Sequence, residues 1–406
     1  MSNQGLETAQ HEGFRLTRRA LGRSIALAAA GAYLLPDAVT SAMAAKPDVG
    51  AKGMIRIGAN ENPYGMGPMA AEAVRNAIAV GNRYPGEVIS QLIAAIAKFH
   101  DVPAEYIALS PGSGDVLRGA TMTFTSASLP LVGAAPTFEA PARIAEMTGA
   151  TVRAPKVLAN GQLDLASMAA QGAGAGLFYV CNPNNPTGSI VSADAVADFV
   201  ARVRKINPTG VILIDEAYGD LVDDPSFGSA TKLIPNDKRI VVSRTFSKIH
   251  GMAGLRVGYA IAHPDTLGAM RKSMSMGNIA VTSLAAALAS LNDTENMKKQ
   301  KAMNRDTRAF VRKAFEGAGY TVLPSEANFI MVDIKRDVRG YQAACREAGV
   351  QIARPFPPLS THARITIGTM EEMKVATPAM LSLLASAPPT SAALVYHDIP
   401  GFPACC

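Results

Sequence analysis

Arg239-Ile240-Val241-Val242-Ser243-Arg244-Thr245-Phe246-Ser247-Lys248, followed by Gly254-Leu255-Arg256, is the stretch that decides the fold. Ile240 to Val242 form an apolar, β-branched run that reads as a buried strand. The strand delivers Lys248 among small hydroxyl residues, with Arg256 eight positions further on. A lysine at a strand end, beside hydroxyls and an arginine, suits an aldehyde that also carries a phosphate. The amine forms a Schiff base, and Thr245, Ser247 and Arg256 hold the phosphate. Taken alone, the stretch also fits a surface lysine in a loop.

Three further motifs argue against the loop. Cys181-Asn182-Pro183-Asn184-Asn185-Pro186-Thr187-Gly188 follows the apolar run Leu177-Phe178-Tyr179-Val180, so a strand ends in a rigid turn. An ordinary turn reads the same way. Val211-Ile212-Leu213-Ile214-Asp215-Glu216-Ala217-Tyr218 places a carboxylate at the end of a buried strand. That is costly unless the carboxylate is paired, and a protonated ring nitrogen would pair with it. Tyr218 lies within reach of the same ligand. The alternative for Asp215 is a helix N-cap. Ala363-Arg364-Ile365-Thr366-Ile367-Gly368 puts an arginine on a strand, where a guanidinium grips a carboxylate in bidentate fashion. A solvated edge-strand arginine is the bland reading.

With Asn60-Glu61-Asn62-Pro63-Tyr64-Gly65, Arg83-Tyr84-Pro85, Gly112-Ser113-Gly114-Asp115 and Pro136-Thr137-Phe138, these motifs resemble the fold-type I pyridoxal-phosphate aminotransferases of class I/II. Within that group the chain is most similar to the histidinol-phosphate aminotransferases, over roughly residues 55–385. Each motif is modest, and their order and spacing carry the resemblance.

The resemblance implies an aspartate aminotransferase-like α/β fold. Its large domain has a mostly parallel sheet covered by helices on both faces, and a smaller α+β domain follows. The cofactor is then pyridoxal 5'-phosphate and the reaction moves an amino group between an amino acid and a 2-oxo acid. Lys248 would carry the cofactor as a Schiff base and shuttle the proton at the substrate Cα. Asp215 would keep the ring nitrogen protonated. Asn185 and Tyr218 would bond the phenolic oxygen, and Phe138 would stack on the ring, or else be a core phenylalanine. Ser113 and Gly114, at a helix N-terminus, would join Thr245, Ser247 and Arg256 around the phosphate. Tyr84 would reach the phosphate of a neighbouring subunit, so that each site depends on a homodimer. A turn aromatic before Pro85 is its alternative. Arg364 would clamp the α-carboxylate, and Asn60 and Asn62 would line the substrate pocket. Arg354, in Ala353-Arg354-Pro355-Phe356, would meet a distal phosphate, or else face solvent as a loop residue.

Fold does not fix reaction type, so a decarboxylase or β-lyase on the same scaffold stands as the alternative enzyme. Arg364 favours transamination. A cofactor-binding protein without catalysis is the third reading, and an intact Lys248, Asp215 and Arg364 argue against it.

The 406 residues suit one large and one small domain, expected at 66–289 and 290–387 after an N-terminal arm at 45–65 and before a tail at 388–406. With 48% hydrophobic residues, 18% charged and a net charge of +6, the composition is that of a soluble globular chain. The charge is small for this length, and no basic run is interleaved with aromatics, so nucleic-acid binding has no support. The cysteines Cys181, Cys345, Cys405 and Cys406 have no metal-site spacing. Strands and helices alternate from residue 107 to residue 262, which implies a sheet with ligands at its strand carboxyl ends.

The N-terminus reads differently. Arg18-Arg19, the mildly apolar stretch 25–35 and the small-x-small site Ala42-Met43-Ala44 make a twin-arginine-type signal peptide over 1–44, cleaved near Ala45. The expectation is export of a folded, cofactor-loaded protein to a bacterial periplasm by the twin-arginine machinery, with no stable membrane anchor. A cytoplasmic amphipathic leader is the alternative. Histidine biosynthesis is cytoplasmic, so the signal pulls against histidinol phosphate as the donor and leaves an aromatic or other amino acid open.

Overall fold

The computed structural model describes residues 53–275 and 278–386. The expected signal peptide, the first residues of the arm and the tail with Cys405 and Cys406 lie outside them. From Met54 on, the described residues belong to one compact unit.

Uninterrupted apolar runs build the centre. β5 (Leu177–Cys181), β6 (Val211–Asp215) and β7 (Ile240–Thr245) are buried at every position. Strands covered on both faces read this way. They join β2 (Ile107–Ser110), β3 (Leu131–Val132), β4 (Val152–Arg153) and β8 (Gly258–Ala262) in a sheet of order β2-β8-β7-β6-β5-β3-β4. The β4-β3-β5-β6-β7 pairs are parallel, and β8 runs antiparallel to both β7 and β2.

Side chains alternate across the sheet. Phe178, Val180, Ile212, Ile214, Ile240 and Val242 face one core, shared with Leu92, Ile96, Phe199, Val203 and Leu284. These partners come from helices Gly86–His100, Ala193–Ile206 and Val281–Asn292. Leu177, Tyr179, Val211, Leu213 and Val241 face the other core, with Val116, Leu117, Ala145 and Met270. Those belong to helices Ser113–Phe124, Ala140–Met147 and Pro264–Met270.

A separate core forms around β9 (Thr321–Val322), β10 (Phe329–Asp333) and β12 (His362–Thr366), an antiparallel sheet of order β12-β10-β9. Helices Thr294–Gly317, Val338–Glu347 and Met370–Ala385 supply Phe315, Tyr341 and Met380 to it. The arm takes part as well: β1 (Ile55–Ile57) pairs in parallel with β11 (Val350–Ile352), and Ile57 is fully buried in this core. A three-residue strand with so distant a partner leaves no periodic signal, so the sequence shows only an extended arm. No helix among the described residues is long and apolar enough to cross a membrane.

Gly176 enters β5 where the chain has no room for a side chain. Its amide donates to the Pro130 carbonyl at 2.9 Å, and a Cβ there would lie 1.9 Å from the Phe124 carbonyl oxygen. Backbone cannot rotate away as a side-chain tip can. Gly176→Ala should therefore cost about 1–3 kcal/mol, the range for overpacking a tight interior. Urea denaturation checks this, and an unchanged midpoint would show that the Phe124 turn yields freely.

Candidate active site

Parallel strands bring their carboxyl ends to one edge of the sheet. Cys181 on β5 is in register with Asp215 on β6, which is in register with Ser243 on β7. The turn after β5 then carries Asn185, and the turn after β7 carries Thr245 to Lys248. Ser113 and Gly114 open the helix that follows β2. Ser113, Gly114, Cys181, Asn185, Thr245 and Ser247, together with Phe138 and Tyr218, line one cleft around Asp215 and Lys248.

Asp215 is 3% exposed. Its carboxylate accepts hydrogen bonds from the Tyr179 hydroxyl at 3.0 Å and the Ala217 amide at 3.3 Å. Burial pushes the carboxyl from 3.8 up to about 6, against the pull of Tyr179 and the more distant charge of Lys248. It is the last residue of β6 and not an isolated helix cap. Tyr179 was not among the residues singled out from the sequence. In an apolar run it reads as core, and only its place on the Cys181 face of β5, beside the end of β6, marks it.

Lys248 is 4% exposed, and its Nζ donates to the Asn60 carbonyl at 3.2 Å. The ammonium lies 5.4 Å from the centroid of the Tyr218 ring. Asn60 adopts a left-handed conformation, φ 54°. Its backbone amide donates to Thr366 Oγ1, which donates to Asn60 Oδ1, and its Nδ2 donates to the Tyr218 hydroxyl, all at 3.0 Å. The arm thus sets the position of both Lys248 and Tyr218. Asn62 lines a second pocket beside Lys248. Its Nδ2 is committed to the carbonyls of Lys248 and Ile249 and to Gln300 Oε1, so it ties the arm to the lysine loop.

Arg364 is buried, as are its neighbours Ala363 to Thr366, so it is no solvated edge-strand residue. Nη1 donates to Asn185 Oδ1 at 2.7 Å and Nη2 to the Gly58 carbonyl at 2.8 Å, while Nε is buried without a partner. Burial pulls the guanidinium down to about 10. A buried cation bonded to neutral oxygens is a site that an organic carboxylate completes.

Arg256 stands at the start of helix Ser113–Phe124. Its Nη1 donates to the Ala253 carbonyl at 2.9 Å and to Ser247 Oγ at 3.4 Å. Gly112, φ 84°, leaves the space the guanidinium needs, since a Cβ there would lie 2.2 Å from Nη2. Gly258 does the same for the helix start, with its Cβ position 2.3 Å from the Ser113 amide. Thr245 Oγ1 donates to Ser247 Oγ at 2.9 Å and accepts from the Ser247 amide at 3.1 Å. Helix N–H groups, a guanidinium and two hydroxyls therefore converge as an anion cup. With the Asp215 carboxylate across the cleft, the residues fit a phosphorylated ring that carries a cationic nitrogen.

Tyr84 and Arg354 are not among the residues that line the cleft. Tyr84 is fully exposed, and Arg354 sits half-exposed at the rim against Glu139.

A family model described as "Aminotransferase class I and II" matches residues 52–379. The chain belongs to that family. It is 34% identical to a histidinol-phosphate aminotransferase of Symbiobacterium thermophilum, over 80% of this chain and 89% of that one. It is also 34% identical to an aromatic amino acid aminotransferase of Thermobifida fusca, over 78% and 87%. Among solved structures, a histidinol-phosphate aminotransferase of Sinorhizobium meliloti in complex with pyridoxal-5'-phosphate superposes with a TM-score of 0.75 at 26% identity, over 81% of this chain and 90% of that one. The chain is a pyridoxal-phosphate-dependent aminotransferase. Of the readings open at the outset, transamination is the one the relatives support.

The buried carboxylate of this aminotransferase gives a pH test. Asp215 is raised from 3.8 to about 6 in the folded, cofactor-free protein. Its contribution to stability is complete below about 3.8 and is lost as pH rises through about 6. Asp215→Asn stays neutral throughout. Cofactor-free wild type should therefore lose stability relative to Asp215→Asn across that window, by about 3 kcal/mol at neutral pH. Urea denaturation at a series of pH values measures the difference, and curves that stay parallel would refute the assignment.

Proposed function

We propose that the enzyme transaminates amino acids whose α-carboxylate sits on Arg364, with a 2-oxo acid as the acceptor. The observation that carries this reading is the shared cleft in which Lys248 and Asp215 meet at the ends of β7 and β6. When bound, pyridoxal phosphate supplies an aldehyde that captures the amino group and a ring that takes up electrons released at the substrate Cα. Lys248 Nζ holds that aldehyde and afterwards takes and returns the Cα proton. Asp215 keeps the proton on the ring nitrogen, and Tyr179 holds the carboxylate in place. Tyr218 and Asn185 would bond the phenolic oxygen of the bound cofactor, and Phe138 would stack on its ring. Ser113, Gly114, Thr245, Ser247 and Arg256 take the phosphate. The Arg364–Asn185 hydrogen bond links substrate binding to cofactor binding.

The relatives' names divide between histidinol phosphate and aromatic amino acids. Arg364, buried beside Phe329 and Phe356, supports a donor with an α-carboxylate. We further read Tyr84 as a contact to a second subunit of a homodimer; its full exposure fits that role.

Borohydride reduction of the loaded enzyme followed by peptide mapping should place the pyridoxyl group on Lys248. A label on another lysine would overturn the assignment. The twin-arginine reading of residues 1–44 is our proposal for localisation. Replacing Arg18 and Arg19 with lysine should leave precursor in the cytoplasm, as judged by fractionation of the bacterial cell, whereas undiminished periplasmic delivery would refute it.

A further inference from the structure

The rim of the cleft carries an ion pair that the roles above do not use. Arg354 Nη2 donates to Glu139 Oε2 at 2.6 Å, and Nη1 donates to the Pro355 carbonyl at 2.9 Å. Glu139 directly follows Phe138, which lines the cleft, and it stands at the head of helix Ala140–Met147. The Arg354 guanidinium carbon is 4.5 Å from the centroid of the Phe356 ring, and that of Arg364 is 4.6 Å from the same ring. One phenylalanine thus separates the buried arginine from the rim arginine. Both Arg354 and Glu139 are near enough to act on the Arg364 charge, in opposite senses.

A substrate whose α-carboxylate is held by Arg364 therefore meets Phe356 and, past it, Arg354. An unengaged Arg354 would attract a phosphate or carboxylate at the far end of the side chain. Here its guanidinium is already engaged by a carboxylate. An anionic side chain has to displace Glu139 and then remain beside a charge of its own sign. A neutral side chain meets neither penalty.

We propose that Glu139 sets the charge selectivity of this aminotransferase: by occupying Arg354 it closes a distal anion subsite and selects side chains with an uncharged end over phosphorylated or acidic ones. The proposal rests on the reading that Arg364 holds the α-carboxylate. Both partners are substantially exposed, at 52% and 38%, so the pair adds little to stability and its effect lies in the sign of the charge.

Glu139→Gln removes that charge with little change of shape. Half-reactions of the loaded enzyme, followed by cofactor absorbance, would compare O-phosphoserine and glutamate with phenylalanine and leucine. Wild type should favour the neutral donors. Glu139→Gln should raise the acidic-to-neutral ratio of second-order rate constants by about tenfold or more. The gain should shrink at high salt and vanish in Glu139→Gln/Arg354→Gln. An unchanged ratio, or a gain that survives the loss of Arg354, overturns the proposal. Arg364→Gln separates it from the reading beneath, because that variant should slow all four donors alike. If it spares any of them, the α-carboxylate assignment fails, and the selectivity proposal fails with it.

Discussion

A carboxylate at the end of an apolar strand is the constraint on which the site turns. Val211 to Ile214 are buried because β6 lies at the middle of a sheet covered on both faces, and the next residue, Asp215, inherits that burial. Its nearest partners, the Tyr179 hydroxyl and the Ala217 amide, are neutral donors. Hydrogen bonds of this kind offset only part of the cost of removing a charge from water. The carboxyl responds by moving up to about 6. A cationic ring nitrogen delivered into the cleft would supply the missing charge. Folding thus leaves a deficit at Asp215, and on the proposed reading cofactor binding would make it good and couple the affinity of the site to the architecture of the sheet.

Neighbouring residues receive the opposite treatment. Glu216, next in sequence, is 1% exposed, and its carboxylate accepts from Arg244 at 2.7 Å; Arg244 also reaches Asp220 at 2.8 Å. Ser229 and the Ala230 amide satisfy the rest of the Glu216 carboxylate. This buried cluster crosses from the end of β6 to the end of β7, and so it sets the distance between the turn bearing Asp215 and the turn bearing Lys248. Buried ion pairs of this kind contribute more to defined geometry than to stability. On the far side of Lys248, the Asn60–Thr366–Tyr218 network and the Asn62 bonds to the lysine loop do the same work from the arm. Lys248 is thus positioned by two parts of the chain distant in sequence.

Much of this was legible in the sequence because it is local. The runs 177–180, 211–214 and 240–242 announce buried strands by composition, and their carboxyl ends mark the edge where a ligand is expected. Asn185, Asp215 and Lys248 reach the same edge because each lies at or just beyond the carboxyl end of its strand. What escaped reading depends on register between distant segments. Tyr179 looks like core until β5 and β6 are aligned. Asn62 reads as a pocket residue and lines one, but its bonds to the lysine loop show only once the arm is docked there. Glu139 and Arg354 lie far apart in sequence, and nothing local says that one neutralises the other. Arg364 on a short strand reads as exposed or buried with equal ease, and its Asn185 contact exists only because β12 packs over the cleft.

The central claim is that the Asp215 carboxylate awaits a cation that the cofactor brings. A 13C-NMR titration of the Asp215 carboxyl in the cofactor-free and loaded enzyme tests it most directly. The account predicts a midpoint near 6 without cofactor, moving well down once pyridoxal phosphate is bound. A midpoint that stays near 6 in the loaded enzyme would contradict it.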